Sequence, residues 1–192
     1  CDISVSEMVS AYTAFPMKGV RRSPLLVTHI EDSDGNIVAQ FAPRVREVIS
    51  EEAAYKMIVL MQGVMNGGTG SRMRNRYKIM ADMGGKTGTT NDNSDGWFIG
   101  YTPTLSFGAW VGGDERDIHF ASMALGQGAN SALPIVANFL NKVYADNTLG
   151  YSPEDKFDIP PGFDPCANVY GEGEEGEILE GVEQVGLDEM AN

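Results

Sequence analysis

The chain has 192 residues, 42% of them hydrophobic, with a formal net charge of −13 and a sequence pI near 4.4. This length and apolar content suit one domain with a sizeable core, and the acidic balance argues against a nucleic-acid groove, which needs a basic surface. No apolar run approaches the ~18 residues of a membrane span, and two cysteines, Cys1 and Cys166, exclude a disulfide scaffold while leaving their own pairing open. Much of the acidity is local: residues 171–192 carry eight Asp and Glu side chains and no Lys or Arg. With no initiator Met and no signal peptide, the chain reads as cut from a longer polypeptide.

Ser4-Val5-Ser6-Glu7 is a capping box, with Ile3 and Met8 spaced for a hydrophobic staple. Val5, Met8, Val9, Tyr12 and Phe15 share one face of the helix that follows, and Pro16 is expected to end it. Leu25 to Ile30 and Ile37 to Phe41 flank Asp34-Gly35, a strong hairpin signal. A calcium loop starting at Asp32 would need Gly at position 37 and Glu at position 43, where the chain has Ile37 and Pro43. The turn is kept and the calcium site rejected.

Ser50 is placed to cap a second helix, with Glu51 and Glu52 favourably set against its dipole. Ala54, Met57, Ile58, Met61 and Val64 form its apolar stripe, read as core packing, and Asn66-Gly67-Gly68 stops it. Residues 69–76, Thr-Gly-Ser-Arg-Met-Arg-Asn-Arg, form a basic, glycine-rich connection with two readings: contact with an anionic ligand, or the commoner solvated loop. Three β-like runs at about 81–90, 95–102 and 104–112 suit an antiparallel meander, with Trp97 and Trp110 packing. Leu125 to Asn130 is expected as a flexible approach to a last helix. That helix has Ser131 as its N-cap, Pro134 in its first turn, and Leu133, Val136, Ala137, Leu140 and Tyr144 on its core face. Residues 151–165 are rich in Pro and Asp, and the acidic segment 171–192 reads as a solvated, disordered tail.

The chemistry concentrates in Gly84-Gly85-Lys86-Thr87-Gly88-Thr89-Thr90. It reads as one edge of an anion-binding cleft on a strand whose glycines allow close approach. Thr87 and Thr89 share a face of an extended chain, which turns Lys86 to the other face unless the strand twists or bulges at Gly85 or Gly88. A phosphate loop fails because Met80 stands where the first Gly is required and no helix follows. A Ser–His–Asp hydrolase fails because nothing ties His29 or His119 to a nucleophile. The two His and two Cys lack the spacing of metal ligands.

Lys86-Thr87-Gly88 matches the Lys-Thr-Gly motif of active-site serine acyltransferases. The context agrees in Glu7 to Tyr12, Gly19-Val20-Arg21, His29 to Asp32, Asp34-Gly35-Asn36, Asp95 to Pro103 and Trp110-Val111-Gly112. On these residues, roughly 1–150, the chain resembles the C-terminal part of the transpeptidase domain of bifunctional (class A) penicillin-binding proteins. The resemblance implies an α+β fold: part of a penicillin-binding/β-lactamase-like domain, an antiparallel meander flanked by helices, plus a β-hairpin. Residues 151–192 would be an extension. It implies a D,D-transpeptidase that cross-links peptidoglycan stem peptides through an acyl-serine and binds β-lactams. The parent would also be a glycosyltransferase using a lipid-linked precursor. The resemblance implies no cofactor and no metal. It places the parent outside the cytoplasmic membrane, on the periplasmic side, tethered by an N-terminal helix absent here.

In that reading Lys86 is catalytic, biasing the site electrostatically and helping proton movement, and Thr87, Gly88 and Thr89 bind substrate, the two threonine hydroxyls taking the carboxylate. The Thr89 backbone N–H serves as an oxyanion donor. No Ser is followed three residues later by Lys or two later by Asn, so the family's S-x-x-K and S-x-N motifs are expected upstream, in the other half of the same domain. The isolated chain is therefore expected to be inactive and marginally stable. A β-lactam sensor and a non-catalytic wall scaffold stand as alternatives, with a β-lactamase ranked below them.

Overall fold

The computed structural model describes residues 3–164; Cys1, Cys166 and the acidic segment lie outside them. The first helix, α1 (Val5–Tyr12), is held by the predicted box. Ser4 Oγ accepts the Glu7 N–H at 3.2 Å, and the Glu7 carboxylate accepts the Ser4 N–H at 2.9 Å. The Ser4 N–H and then the Ser4 hydroxyl, both donating to the Glu7 carboxylate, hold that carboxyl below its ordinary value. Ile3 remains exposed. The helix ends at Tyr12, four residues before Pro16. The N–H groups of Ala14 and Phe15 bond three residues back, so the last turn tightens and Pro16 follows an end already made. Gly19, at φ +91°, then reverses the chain where a Cβ would strike the Ile49 carbonyl.

Two small antiparallel pairs follow: β1 (Val20–Arg22) with β4 (Val45–Glu47), and β2 (His29–Glu31) with β3 (Ile37–Gln40). The β2–β3 turn is built as Asp-Gly predicts, with Gly35 at φ +82°. One Asp32 oxygen accepts the N–H groups of Asp34 and Asn36, both at 2.9 Å, so this carboxylate serves the turn. Only the end of the predicted 25–30 run pairs: Thr28 O accepts the Phe41 N–H at 2.9 Å next to the strand, and Leu25 to Val27 lie outside the ladder.

Helix α2 (Glu51–Asn66) is capped by Ser50, whose hydroxyl accepts the Ala53 N–H at 3.2 Å. It buries Ala54, Ile58, Met61 and Met65. The segment after it is not a solvated loop. It forms one helical turn, α3 (Arg72–Asn75), with Met73 fully buried. The Arg74 guanidinium donates to the Ile79 and Ala81 carbonyls at 3.0 and 2.5 Å, and Arg72 donates to Ala129 at 3.4 Å. Carbonyls with no ladder partner recruit the cations that hydropathy alone assigns to solvent.

The central sheet is a meander of β5 (Gly84–Thr89), β6 (Asp95–Tyr101) and β7 (Ser106–Gly112), in that order. Its register sets Thr87 against Phe98 and Phe98 against Ala109. That face carries the main core: Phe98, Phe107 and Ala109 pack with Met65, Met73, Leu133, Val136 and Leu140. The opposite face presents Ile99 and Tyr101. Tyr101 meets the rings of Phe15 at 5.6 Å and Phe157 at 5.9 Å, beside Ile58 and Met61.

A single-turn α4 (Met123–Gly126) and then α5 (Ala132–Ala145) complete the elements. The expected flexible approach at 125–130 is instead packed tightly. A Cβ on Gly128 would collide with the carbonyls of Trp97 and Gly88. Ser131 stands at the N-cap position of α5, as expected, but makes no capping bond: it sits in αR, and its hydroxyl donates to Gln127 O at 3.1 Å. The Gly128 carbonyl already accepts the N–H groups of Ala132 and Leu133, so helical turns begin before Ser131. Residues 151–164 run back over the domain, burying Phe157 and setting Phe163 edge-on to Tyr55 at 4.6 Å. Among the described residues no helix is long and apolar enough to cross a membrane.

Candidate active site

The site residues converge on the outer edge of β5, the end strand of the sheet. In an antiparallel ladder, directly opposed residues alternate between hydrogen-bonded and non-bonded pairs. Two bonds fix the phase. Thr90 N–H donates to Asp95 O at 3.1 Å at one end of the β5–β6 hairpin. Thr102 N–H donates to Leu105 O at 2.8 Å beyond the far end of β6. Both assign Gly84, Lys86 and Gly88 to bonded pairs with β6. Gly85, Thr87 and Thr89 therefore direct their N–H and C=O groups away from the sheet, over an edge that no other strand among the described residues covers.

The conflict between Lys86 and its threonines is settled without a bulge. Pairing runs unbroken from Gly84↔Tyr101 to Thr89↔Gly96. Lys86 leaves the strand on the face opposite Thr87, and its flexible stem returns over the edge. Nζ donates to the outward Thr87 carbonyl at 2.7 Å. A positive charge thus lies along the same edge as the free N–H of Thr89.

The two threonine hydroxyls are held from outside the strand. Thr87 is buried, and its Oγ1 lies 2.6 Å from Thr69 Oγ1. Thr89 is exposed, and its Oγ1 accepts the Gly128 N–H at 3.1 Å, leaving its own proton available to a ligand. Gly88 carries the Trp97 side chain across it: a Cβ there would stand 3.1 Å from Trp97 Cβ. Sequence reasoning gives neither Thr69, within a run considered for anion contact, nor Gly128 a specific partner, although paired glycines (Gly68 and Gly70, Gly126 and Gly128) flank or contain them. Each glycine marks a close approach. A Cβ on Gly68 would stand 2.9 Å from Val64 Cα, and one on Gly70 would stand 2.6 Å from Met65 Sδ.

The end of the edge is fixed by a polar knot. Asp95 accepts the Thr90 hydroxyl at 2.7 Å and the Trp110 Nε1–H at 2.8 Å. These bonds, led by Thr90 and aided by Arg116, hold the Asp95 carboxyl below its ordinary value. The intervening turn passes through Asp92 and Asn93 at φ near +60°, a region Asp and Asn tolerate better than other side chains. Trp97 and Trp110 pack, as expected, but on each other (6.5 Å between rings) and not in the core; Trp110 is 37% exposed. With Ile3, Thr90, Asp95 and Arg116 they line a cleft beside β5.

The histidines lie elsewhere. His29 Nε2 is 3.0 Å from Glu31 on the hairpin, and His119 Nδ1 donates to Phe120 O at 3.1 Å. Among the described residues no group of three or more His, Cys, Asp or Glu could hold a metal ion. The arrangement offers an ammonium, a free hydroxyl proton and outward backbone N–H groups along an unpaired strand edge. Chemically it can dock an extended chain as an added strand and stabilise negative charge on a bound oxygen.

Comparison with known proteins decides the family. The family model for the penicillin binding protein transpeptidase domain matches residues 1–144, three quarters of the chain. The chain belongs to the penicillin-binding protein transpeptidase domain family. It is 30% identical over 160 residues to penicillin-binding protein 1A of Aquifex aeolicus, covering 83% of this chain and 20% of that protein. It is 34% identical over 141 residues to penicillin-binding protein 1A of Neisseria lactamica, covering 69% and 17%. Among solved structures it resembles penicillin-binding protein 1A from Haemophilus influenzae, with TM-score 0.72, 23% identity, and 83% of this chain against 28% of that one. PonA1 from Mycobacterium tuberculosis gives TM-score 0.63 and 24% identity, covering 88% and 45%. The structural likenesses establish the transpeptidase-domain fold, α+β with an antiparallel sheet and flanking helices. The chain spans about a fifth of the curated relatives it matches.

Proposed function

We propose that this chain supplies the Lys-Thr-Gly-Thr edge of a peptidoglycan D,D-transpeptidase site that is also acylated by β-lactams. The observation that carries the reading is the free edge of β5, where the Lys86 ammonium and the outward Thr89 N–H lie together. A stem peptide docks along that edge as an added strand. Its carboxylate meets the threonine hydroxyls beside the Lys86 charge. Its reacting carbonyl places its oxygen against the Thr89 N–H. As a serine Oγ attacks, that oxygen gains full negative charge, so the donor binds the tetrahedral intermediate more tightly than the substrate. Losing one such donor costs about 3–4 kcal/mol of barrier.

The nucleophile and its base come from the preceding half of the domain, since no serine here opens an S-x-x-K motif. The domain would occupy residues 1–150, with 151–192 an extension. The whole polypeptide would work on the periplasmic face of the membrane, held by an N-terminal helix, with a glycosyltransferase domain and the lipid-linked precursor as its further substrate. The test is fluorescent-penicillin labelling of the intact polypeptide beside a Lys86→Ala version. Strong covalent labelling that falls at least a hundredfold with Lys86→Ala is expected, and the 192-residue chain alone is expected to take no label. A folded parent that takes none would make this a non-catalytic scaffold. A stoichiometric adduct on the isolated chain would overturn its dependence on the upstream half.

A further inference from the structure

We infer that Thr69, outside the Lys-Thr-Gly stretch, is a positioning residue for the ligand carboxylate, acting through Thr87. This rests on the acyl-serine reading above and adds a residue to it. The two hydroxyls stand 2.6 Å apart, the only hydrogen bond found for either side chain among the described residues. A hydroxyl has one proton and two acceptor sites. One proton of the pair is consumed between the two oxygens, and the other is left over. Thr87 is buried beside the edge of β5, whereas Thr69 is exposed. When an anion lies along that edge, the favourable arrangement has Thr69 donating to Thr87 and Thr87 donating to the carboxylate. The chain of hydrogen bonds then ends on the charge, and each bond strengthens the next.

The local backbone is built to hold this pair. Gly68 and Gly70 bracket Thr69; a Cβ on Gly68 would stand 2.9 Å from Val64 Cα, and one on Gly70 would stand 2.6 Å from Met65 Sδ at the end of α2. Gly70 N–H donates to Val64 O at 3.0 Å, pinning the turn to the helix. The other end of Thr87 is held as firmly, its carbonyl accepting Lys86 Nζ. Thr87 is thus oriented at two points, once through its backbone and once through its hydroxyl. Without Thr69 its hydroxyl would be free to turn its proton toward nearby backbone oxygens and away from the ligand.

The experiment uses the intact polypeptide with Thr69→Val, Thr69→Ala and Thr69→Ser. It measures labelling by a penicillin and by the methyl ester of the same penicillin, each relative to the wild type. Thr69→Val and Thr69→Ala are expected to lower the second-order rate with the free acid about tenfold, the effect of one hydrogen bond to a charged group. The loss should fall on the concentration giving half-maximal rate, with the maximal rate held within about twofold. The ester should change less than about twofold, and Thr69→Ser should restore acid labelling. Equal losses for acid and ester, or no loss in either folded variant, would overturn the inference and leave the acyl-serine reading intact. A wild-type polypeptide that takes neither probe would sink both. Because Thr69 is exposed, Thr69→Ala opens no core cavity and keeps the test available if the valine variant misfolds.

Discussion

Asp95 shows how one side chain can fix the end of a strand edge. Its two oxygens collect the Thr90 hydroxyl and the Trp110 indole, which ties the turn after Thr89 to the far strand of the sheet. The folded carboxyl lies below the ordinary aspartate value of 3.8. Its contribution to stability is therefore complete above that value and disappears as pH falls through the lowered folded value. Asp95→Asn should melt lower than the wild type at pH 7, and the gap should close progressively below about pH 4. Parallel melts of the intact polypeptide from pH 7 to pH 3 would show this. A gap that stays constant into acid would mean that packing, and not charge, explains the loss. Gly128 makes a related point: its missing side chain lets one N–H reach Thr89 Oγ1, a contact invisible in a list of functional side chains.

At the scale of elements, α3 separates two arginines that look alike in sequence. Arg74 is half-buried and bonds two carbonyls, while Arg76 is exposed, with its guanidinium 5.6 Å from the Tyr77 ring. Arg74→Ala leaves two carbonyls short of a charged donor and should cost about 2–3 kcal/mol. Arg76→Ala should cost under about 1 kcal/mol. Denaturant melts of the two variants test the difference, and similar losses would refute the role given to Arg74. The loss should also reach the site, because Arg74 anchors the segment running into β5. The three-strand meander was legible because alternating apolar runs with short polar connections allow little else. The single turn α3 was not: four residues carry too little periodicity, and their pattern of Arg and Met is set by carbonyls distant in sequence.

Across the molecule as a whole, much apolar surface of the described residues is exposed. Leu26 is 93% exposed, and Val38, Ile37 and Val45 are each at least 60% exposed. A groove between α1 and α5, beside the outer edge of β7, is lined by Val5, Val9, Leu25, Phe107, Ile135 and Phe139. An open strand edge beside apolar surface is a template for association. The isolated 192-residue chain should therefore self-associate at micromolar concentration and melt broadly. Light scattering and a thermal melt decide it, and a monomer with one sharp transition would contradict it.

The sequence by itself determined the local devices: the Ser4–Glu7 box, the Asp32–Gly35 turn, the Ser50 cap, the three-strand meander and the Lys86–Thr89 motif. The caps, the turn and the motif depend on neighbours a few residues away, and the meander is written strand by strand in alternating apolar runs joined by short polar connections, so local pattern is enough to read each of them. Only the tertiary structure decided which strand edge is free, how Lys86 comes round to meet the Thr87 carbonyl, and which partners hold the two threonine hydroxyls. Thr69 lies 18 residues before Thr87, and Gly128 lies 39 after Thr89. Those contacts depend on the packing of α2 and of the turns before α5 against the sheet, which no local periodicity encodes.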